Sequence, residues 1–359
     1  MSKHHFHSVY KRALYCLLII TSIMTLGTVG VHCIEKMRYL DAFYFMSMIA
    51  TAQGPTYTPV TALGKIFVAF MAFVSVGAGV AALGFLLGPF FGQLWRIGAM
   101  KLEEDLHHNQ SIVDQFTRQA QPFTYKMQAH SNKEAFALMF KVSAVTLSDT
   151  VLDVACGSGL VSCAFAPLAK QVTGIDITPA MIEQAKKIQE ERNLTNVTWQ
   201  VGDVSRLPYP DNKFSLVMTR FSFHHFLEPQ TVLKQMVRVC AHAGRVMVAD
   251  VALPPEKVDA YNHFEKLRDP SHVRALTEKE MLALMASCGL KDLKTAFYKL
   301  EMTLEDQLKS SFPNPGDEEK IHELFRQDLG VDKIGVGARP QDGQIQLSYP
   351  VMIVVGQKL

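Results

Sequence analysis

The sequence predicts an all-α membrane domain followed by an α/β domain built on a doubly wound parallel sheet. Three observations carry this. Residues 150–180 (TVLDVACGSGLVSCAFAPLAKQVTGIDITPA) read as strand, Gly-rich turn, helix, strand and acidic loop; further apolar β-branched runs follow at helix-sized intervals; and two long apolar runs near the N-terminus are almost free of charge.

In the 150–180 stretch, Val151 to Val154 suits a buried parallel strand, and Cys156-Gly157-Ser158-Gly159 forms a turn that lets backbone approach a ligand closely. Leu160 to Lys170 has helical length and apolar spacing. Gln171 to Ile175 is a second strand ending on Asp176, 19 residues after Gly157, the place for an acidic side chain on ribose hydroxyls. A dinucleotide fingerprint would carry a third glycine where Ser162 stands, and Asp153 at the end of the first strand repels phosphate. Asp153 suits a cation instead, so S-adenosylmethionine, with its ammonium and sulfonium, fits the charge pattern better than NAD.

Val197 to Val201 reads as a third strand, followed by Gly202-Asp203-Val204. Phe214 to Thr219 reads as a fourth, followed by Arg220-Phe221-Ser222-Phe223-His224-His225-Phe226, and Arg245 to Val251 as a fifth. Beyond them, Pro254-Pro255 breaks the chain and Thr277 caps a helix that stops at Gly289. Leu290 to Met302 makes another strand, two amphipathic helices follow, and Gln346 to Val355 alternates like a closing antiparallel strand, which completes seven.

The motifs DVACGSG, GIDITPAMI, GDVSRLPYPDNKFSLVMTRFSFHHF and RVCAHAGRVMVAD resemble class I S-adenosylmethionine-dependent methyltransferases of the methyltransferase type 11 kind, and are similar to the ubiquinone and menaquinone biosynthesis C-methyltransferases. The resemblance runs from about Gln110 to Leu359 and includes DQFTRQAQPF and LRDPSHVRAL. It implies a Rossmann-like, seven-stranded methyltransferase domain with Asp153, Ala155, Gly157 and Gly159 around the methionine end of the cofactor and Asp176 on the ribose. Ile177 and Met181 would pack on adenine, and Asp203 would accept from its amino group with Val204 beside it. Two places depart from the pattern: Ala155 stands for the usual first glycine, and His242-Ala243-Gly244 for the usual Pro-Gly-Gly turn.

The 359 residues leave room for two or three domains; a net charge of +2 argues nothing about nucleic acid, and with no basic run interleaved with aromatics no nucleic-acid partner is expected. The six cysteines, with no CxxC pair, suit a reducing compartment. Ala13 to Ile34 has spanning length, too long for a secretory signal and without a clean cleavage site. Leu63 to Leu94 is a second span whose one charge is Lys65, and Ala42 to Thr51 is a half-length apolar stretch between them. Lys3, Lys11 and Arg12 before the first span and Arg96 and Lys101 after the second put both termini in the cytosol, although Lys36 and Arg38 dilute the bias; a bacterial inner membrane is expected. The organisation is therefore a tail at 1–12, a two-helix module at 13–94, a linker helix at 95–109 and the methyltransferase-like domain at 110–359.

Two spans around a pore-helix-like re-entrant segment resemble a potassium-channel pore module. Within DAFYFMSMIATAQGPTYTPVTALGKIF, the residues Pro59, Thr61, Gly64 and Lys65 fall in matching places, and Gly77 or Gly79 in that of a hinge. The filter departs: Thr51-Ala52-Gln53-Gly54-Pro55-Thr56 puts Gln53 and Pro55 where glycines let carbonyls point inward, and proline also removes a donor. A membrane anchor and oligomerising element is the expectation, a tetramer if the pore resemblance holds.

Methyl transfer from a sulfonium is an in-line displacement, so the enzyme's part is to hold acceptor and methyl in near-attack geometry, with a base where the acceptor carries a proton. His224 and His225 follow the fourth strand at the carboxyl edge of the sheet, where ligands bind. One of them is a candidate base; alternatively one bonds a backbone carbonyl and the other packs on Phe221 or Phe226. Arg220 is a candidate substrate or cofactor contact. His272 and Arg274, in the Asp269-Pro270-Ser271-His272 turn, lie in the segment expected to build the acceptor pocket, where Asp269 and Ser271 read equally as a helix cap; Phe116 and His130 lie in a lead-in segment that the resemblance implies folds over the cofactor as a lid. His4, His5 and His7 read as solvated tail. No histidine stands at metal-ligand spacing with a carboxylate. The expected activity is methylation of a small, lipophilic, quinone-like or lipid acceptor on the cytosolic side; the alternative is a channel-like protein whose methyltransferase-like domain senses S-adenosylmethionine.

Overall fold

A computed structural model describes residues 3–53, 57–129 and 133–359. Gly54, Pro55, Thr56 and His130 of the sequence reading lie outside the described residues. The chain divides into two compact units, Met1–Glu103 and Glu104–Leu359.

The first unit holds α1 (Lys3–Glu35), α2 (Tyr39–Ala50) and the beginning of α3 (Ala62–Ala129). The first span therefore starts within the expected tail, with no break at residue 12, and the expected linker helix is part of α3. Val31, Ala42, Phe45, Met46, Ile49, Val68 and Met71 form its core. The Glu35 carboxylate ties down the turn before α3, accepting from Val60 N at 2.9 Å, Thr61 N at 3.1 Å and Thr61 Oγ1 at 2.5 Å. Lys11–Glu35 and Ala62–Pro122 are each long and apolar enough to cross a membrane. Leu17, Ile66 and Phe73 are among the large apolar side chains left on their outer faces.

In the second unit the remaining elements run in order: α4 (Lys133–Ser143), β1 (Thr150–Val154), α5 (Leu160–Phe165), β2 (Gln171–Asp176), α6 (Pro179–Glu191), β3 (Val197–Val201), β4 (Phe214–Arg220), α7 (Pro229–Val239), β5 (Cys240–Leu253), α8 (Pro255–Arg268), β6 (Leu276–Thr277), α9 (Glu278–Ser287), β7 (Leu290–Thr303), α10 (Leu304–Lys309), α11 (Asp317–Asp328), β8 (Arg339–Gln341) and β9 (Gln344–Lys358). The sheet order is β3-β2-β1-β4-β5-β9-β7, with β1 to β5 parallel and β9 antiparallel to both neighbours. The seven expected strands make up this path, and the short β6 and β8 add to it beside β5 and β9. The crossover direction reverses between β1 and β4, so the carboxyl ends of those strands open a crevice.

Three local expectations change. The helix after the Gly-rich turn stops at Phe165 instead of Lys170, and Pro167 sits in the 3₁₀ turn that follows. Pro254-Pro255 starts a helix rather than breaking the chain: Pro255 is the first residue of α8, where a missing N–H is no loss. Strand β5 begins at Cys240, five residues before the expected start. The cap at Thr277 is as expected, a capping box with Glu280. Residues packed on the sheet, among them Leu152, Val217 and Val246, form one core, and Phe264, Phe325, Val336 and Tyr349 centre a second beyond β5.

Candidate active site

The crevice is built on the turn between β1 and α5. Ala155, Gly157 and Gly159 all have left-handed backbone, with φ of 54°, 52° and 73°. At Gly159 a Cβ would lie 2.4 Å from Trp199 Cη2 and 2.7 Å from Ala185 Cβ, so only glycine lets the turn seat against α6 and β3. At Gly157 a Cβ would meet nothing within 4 Å, so the turn faces open space. Ala155 takes the same backbone region without being glycine, a strain larger than the loss of room expected from the sequence.

Two carboxylates flank that space. Asp176 closes β2 and holds the turn, its Oδ2 accepting from Gly157 N at 2.8 Å and its Oδ1 from Thr178 N at 2.8 Å. Asp153 is 1% exposed, and its Oδ2 accepts from Ser162 Oγ at 2.5 Å. Burial pushes the Asp153 carboxyl up to about 7 against the hydrogen bond from Ser162, and the charge of Asp176 adds to the rise. Asp176 is also raised by burial, offset in part by the two backbone N–H groups. Two buried carboxylates beside an open turn form a site short of positive charge. The ammonium and sulfonium of S-adenosylmethionine supply it, so the residues present fit that cofactor. Met181 and Val204 are buried and Ile177 is half-buried. Asp203 begins the loop after β3, its Oδ1 accepting from Ser205 N at 2.8 Å and its Oδ2 from Asn109 Nδ2 at 3.3 Å.

Beyond β4 and β5 a cavity has Phe116, Phe221, Tyr261 and Tyr349 among its walls, together with Leu300 and Met302. His224 and His225 both line it. His224 Nδ1 donates to Asp250 Oδ1 at 2.7 Å, and Asp250 also accepts from Val251 N at 2.7 Å and, through Oδ2, from Phe223 N at 2.8 Å. A carboxylate that only accepts keeps the His224 proton on Nδ1, so Nε2 is left for the cavity. Burial alone would lower the His224 pKa; the Asp250 carboxylate, with Glu265, outweighs it and the net shift is upward. His225 differs: Nδ1 faces the Ser271 carbonyl at 3.1 Å, and burial followed by the charge of His224 pushes its pKa down to about 4. His225 therefore takes the carbonyl contact that one of the two alternatives gave to a histidine of this pair.

Arg220 lies apart from the cavity walls, its Nε donating to Tyr298 OH at 3.1 Å and its guanidinium 4.4 Å from the Phe221 ring centroid. The charge of Arg220 reaches Asp153, which it helps to lower. His272 is not a wall residue: it stands behind His224, ring centroids 5.4 Å apart, with Nε2 on Asn262 Oδ1 at 2.8 Å. Arg274 does not build the pocket, because it pairs with Glu280 on the surface. Phe116 lines the cavity, edge-on to His225 at 5.1 Å between centroids, and His108 Nε2 donates to the His225 carbonyl at 2.7 Å. The sequence reading missed Asp250, the role of Ser162, and Glu265 and Arg268 in the cavity wall; Asp269, which it named in the pocket segment, does line the cavity. Asp250 alone had a readable signal, as the acid near the carboxyl end of a strand.

Residues 152–248 match the family described as "Methyltransferase domain". Over 207 residues the chain is 30% identical to the uncharacterized methyltransferase YcgJ of Bacillus subtilis, spanning 55% of this chain and 81% of that one. The crystal structure of YcgJ superposes with a TM-score of 0.58 at 25% identity, covering 63% of this chain and 99% of that chain. The demethylmenaquinone methyltransferase of Tropheryma whipplei is 30% identical over 156 residues, 41% of this chain and 62% of the relative.

Proposed function

We propose that this chain, which belongs to the methyltransferase family and is an S-adenosylmethionine-dependent methyltransferase, methylates a flat, apolar, quinol-like acceptor, with His224 as the base. The observation that carries the reading is His224, tied to Asp250 at 2.7 Å and set in the wall of an aromatic-lined cavity at the carboxyl ends of β4 and β5. The demethylmenaquinone methyltransferase relative supports a quinone-related acceptor.

S-adenosylmethionine supplies the methyl group as an electrophile on sulfonium. The chain's own residues do the rest. Asp153 and Asp176 bind the cationic and ribose ends, and the β1–α5 turn keeps side chains out of the way. Asp250 orients His224, whose Nε2 takes the proton of an acceptor hydroxyl; the resulting oxyanion, or the ring carbon it activates, is then the nucleophile. Phe116, Phe221 and Tyr349 exclude water and align a planar ring. The test is methyl incorporation from labelled S-adenosylmethionine into a reduced naphthoquinone with an open ring position, read by product mass. Cofactor binding without any labelled product would overturn the acceptor assignment.

Within the same proposal, the first unit anchors the enzyme in a bacterial inner membrane, with both termini and the acceptor chemistry on the cytosolic side. Its two spanning-length helices, with the 12-residue apolar α2 between them, support this. Their pore-like arrangement in sequence supports a tetramer, for which mass in detergent is the check. Ion flux through liposomes that changes with S-adenosylmethionine would instead favour the sensing alternative.

A further inference from the structure

The cavity wall contains an ion pair that an apolar pocket does not need. Glu265 is 2% exposed and Arg268 is 8% exposed, and both face the cavity from the last turn of α8. Arg268 donates through Nε to Glu265 Oε2 at 2.8 Å, through Nη2 to the same oxygen at 2.5 Å, and through Nη1 to Ser311 Oγ at 3.0 Å. A guanidinium has five N–H groups. One on each terminal nitrogen therefore has no hydrogen bond to the protein among the described residues. Buried N–H groups on a cation are expensive to leave unpaired. An acceptor oxygen inside the cavity answers that demand.

The neighbouring charge restricts what kind of oxygen. Asp269, 1% exposed, also lines the cavity, with Oδ1 accepting from Ser271 N at 2.9 Å and from Ser271 Oγ at 2.6 Å, and Oδ2 from Gln119 Nε2 at 3.3 Å. Against its burial, the charges of His225 and Arg268, followed by the bonds from Ser271, hold the Asp269 carboxyl far below its ordinary pKa and so ionised. Two carboxylates against one guanidinium leave the wall with a negative balance, and a carboxylate on the acceptor would add to it without a counter-charge. A carbonyl takes the N–H groups and brings no charge.

We infer that Arg268, held by Glu265 and Ser311, is a specificity-determining residue that binds a neutral carbonyl oxygen of the acceptor, and that Glu265 and Asp269 exclude acceptors bearing a carboxylate. The acceptor class is an uncharged hydroxyaryl ketone, which keeps one ring carbonyl where a quinol carries its second hydroxyl. The inference rests on the proposed reading of the cavity as the acceptor site, and names the polar end of the molecule that His224 would deprotonate.

The experiment uses the full chain in detergent, saturated with S-adenosylhomocysteine, and three probes: a hydroxytetralone, the same bicyclic phenol without its ketone, and the corresponding hydroxynaphthoate. Affinities are read by calorimetry. The ketone is expected to bind about tenfold to a hundredfold more tightly than its deoxy partner, the range for a hydrogen bond to a charged donor. The double variant Glu265→Gln/Arg268→Met removes the pair together, the change a buried pair tolerates best, and abolishes the preference. Glu265→Gln alone keeps Arg268 and removes one negative charge, so the hydroxynaphthoate gains at least about tenfold; this variant decides the matter if the double one fails to fold. Equal affinity for ketone and deoxy phenol, a preference that survives in the double variant, or no gain for the hydroxynaphthoate in Glu265→Gln would each overturn the assignment, as would failure of all three probes to bind. Methyl transfer from S-adenosylmethionine in parallel samples separates the two readings. Ketone-selective binding without transfer counts against His224 as base and supports Arg268; transfer without ketone selectivity does the reverse.

Discussion

Asp250→Asn is the sharpest perturbation of the proposed base, because the three donors around Asp250 dictate what an amide can do there. Val251 N and His224 Nδ1 converge on Oδ1, and Phe223 N points at Oδ2. An asparagine that keeps its oxygen toward Val251 and His224 turns its amide nitrogen onto the Phe223 N–H, donor against donor. One buried donor is left unpaired, which destabilises the fold by about 1–3 kcal/mol. The opposite flip gives up two bonds instead of one. The chemistry suffers separately: Asp250 is what raises His224 against its own burial, so without the charge His224 falls below its ordinary pKa and becomes a weaker base. The pH profile of kcat/KM then moves in a defined direction. In the wild type, activity falls as the pH drops through the raised pKa of His224. In the variant this acid limb lies about one to three pH units lower, while the plateau rate drops on the order of a hundredfold. Initial rates of S-adenosylhomocysteine formation across the neutral range, with histidine ring resonances followed by NMR, read both effects. An acid limb at the wild-type pH, with a rate reduced only in proportion to the unfolded fraction, would refute the dyad.

Other consequences can be checked as directly. Asp176→Ala removes the ribose acceptor and unpairs Gly157 N and Thr178 N, so S-adenosylmethionine affinity measured by calorimetry should fall at least about a hundredfold. Gly159→Ala puts a methyl 2.4 Å from Trp199 at a left-handed φ, and urea unfolding should show a loss of about 2–4 kcal/mol. Because the His225 pKa is depressed to about 4 from 6.5, the unfolded chain binds the extra proton as the pH falls from 6.5 to 4. That single group should remove roughly 3 kcal/mol of stability across the window, visible in unfolding curves and reduced in His225→Gln. Asp153 sits near 7 until a cation arrives, so S-adenosylmethionine binding at pH 7 should release about half a proton, measured as a dependence of the binding heat on buffer ionisation enthalpy.

What could be read from the sequence was what lies close together in it. The strand, turn, helix and strand from Thr150 to Asp176 carry their own periodicity and glycines, and they place Asp153 and Asp176 correctly around the turn. The seven principal strands were legible for the same reason. The two-residue β6 and three-residue β8 are too short to show a period. Of the charged cavity wall only the segment of Asp269 was legible, because Glu265 and Arg268 look like any polar helix end until α8 packs its final turn against the second core. The division of labour between His224 and His225 was equally hidden: it depends on Asp250 and Ser271, which lie 26 and 46 residues away. Pro254-Pro255 misled because proline stops a helix in its interior yet suits its first turn.

Among the described residues, the fixed charges of the cavity wall come from the last turn of α8 and its cap, whereas the two carboxylates beside the Gly-rich turn come from β1 and β2. On the proposed reading, donor and acceptor recognition are written in separate stretches of the gene. A drifting lineage could rewrite four or five codons around Glu265 to Asp269 and take up a new acceptor while its hold on the methyl donor stayed intact. An engineer seeking a different product would begin by randomising that same short cassette.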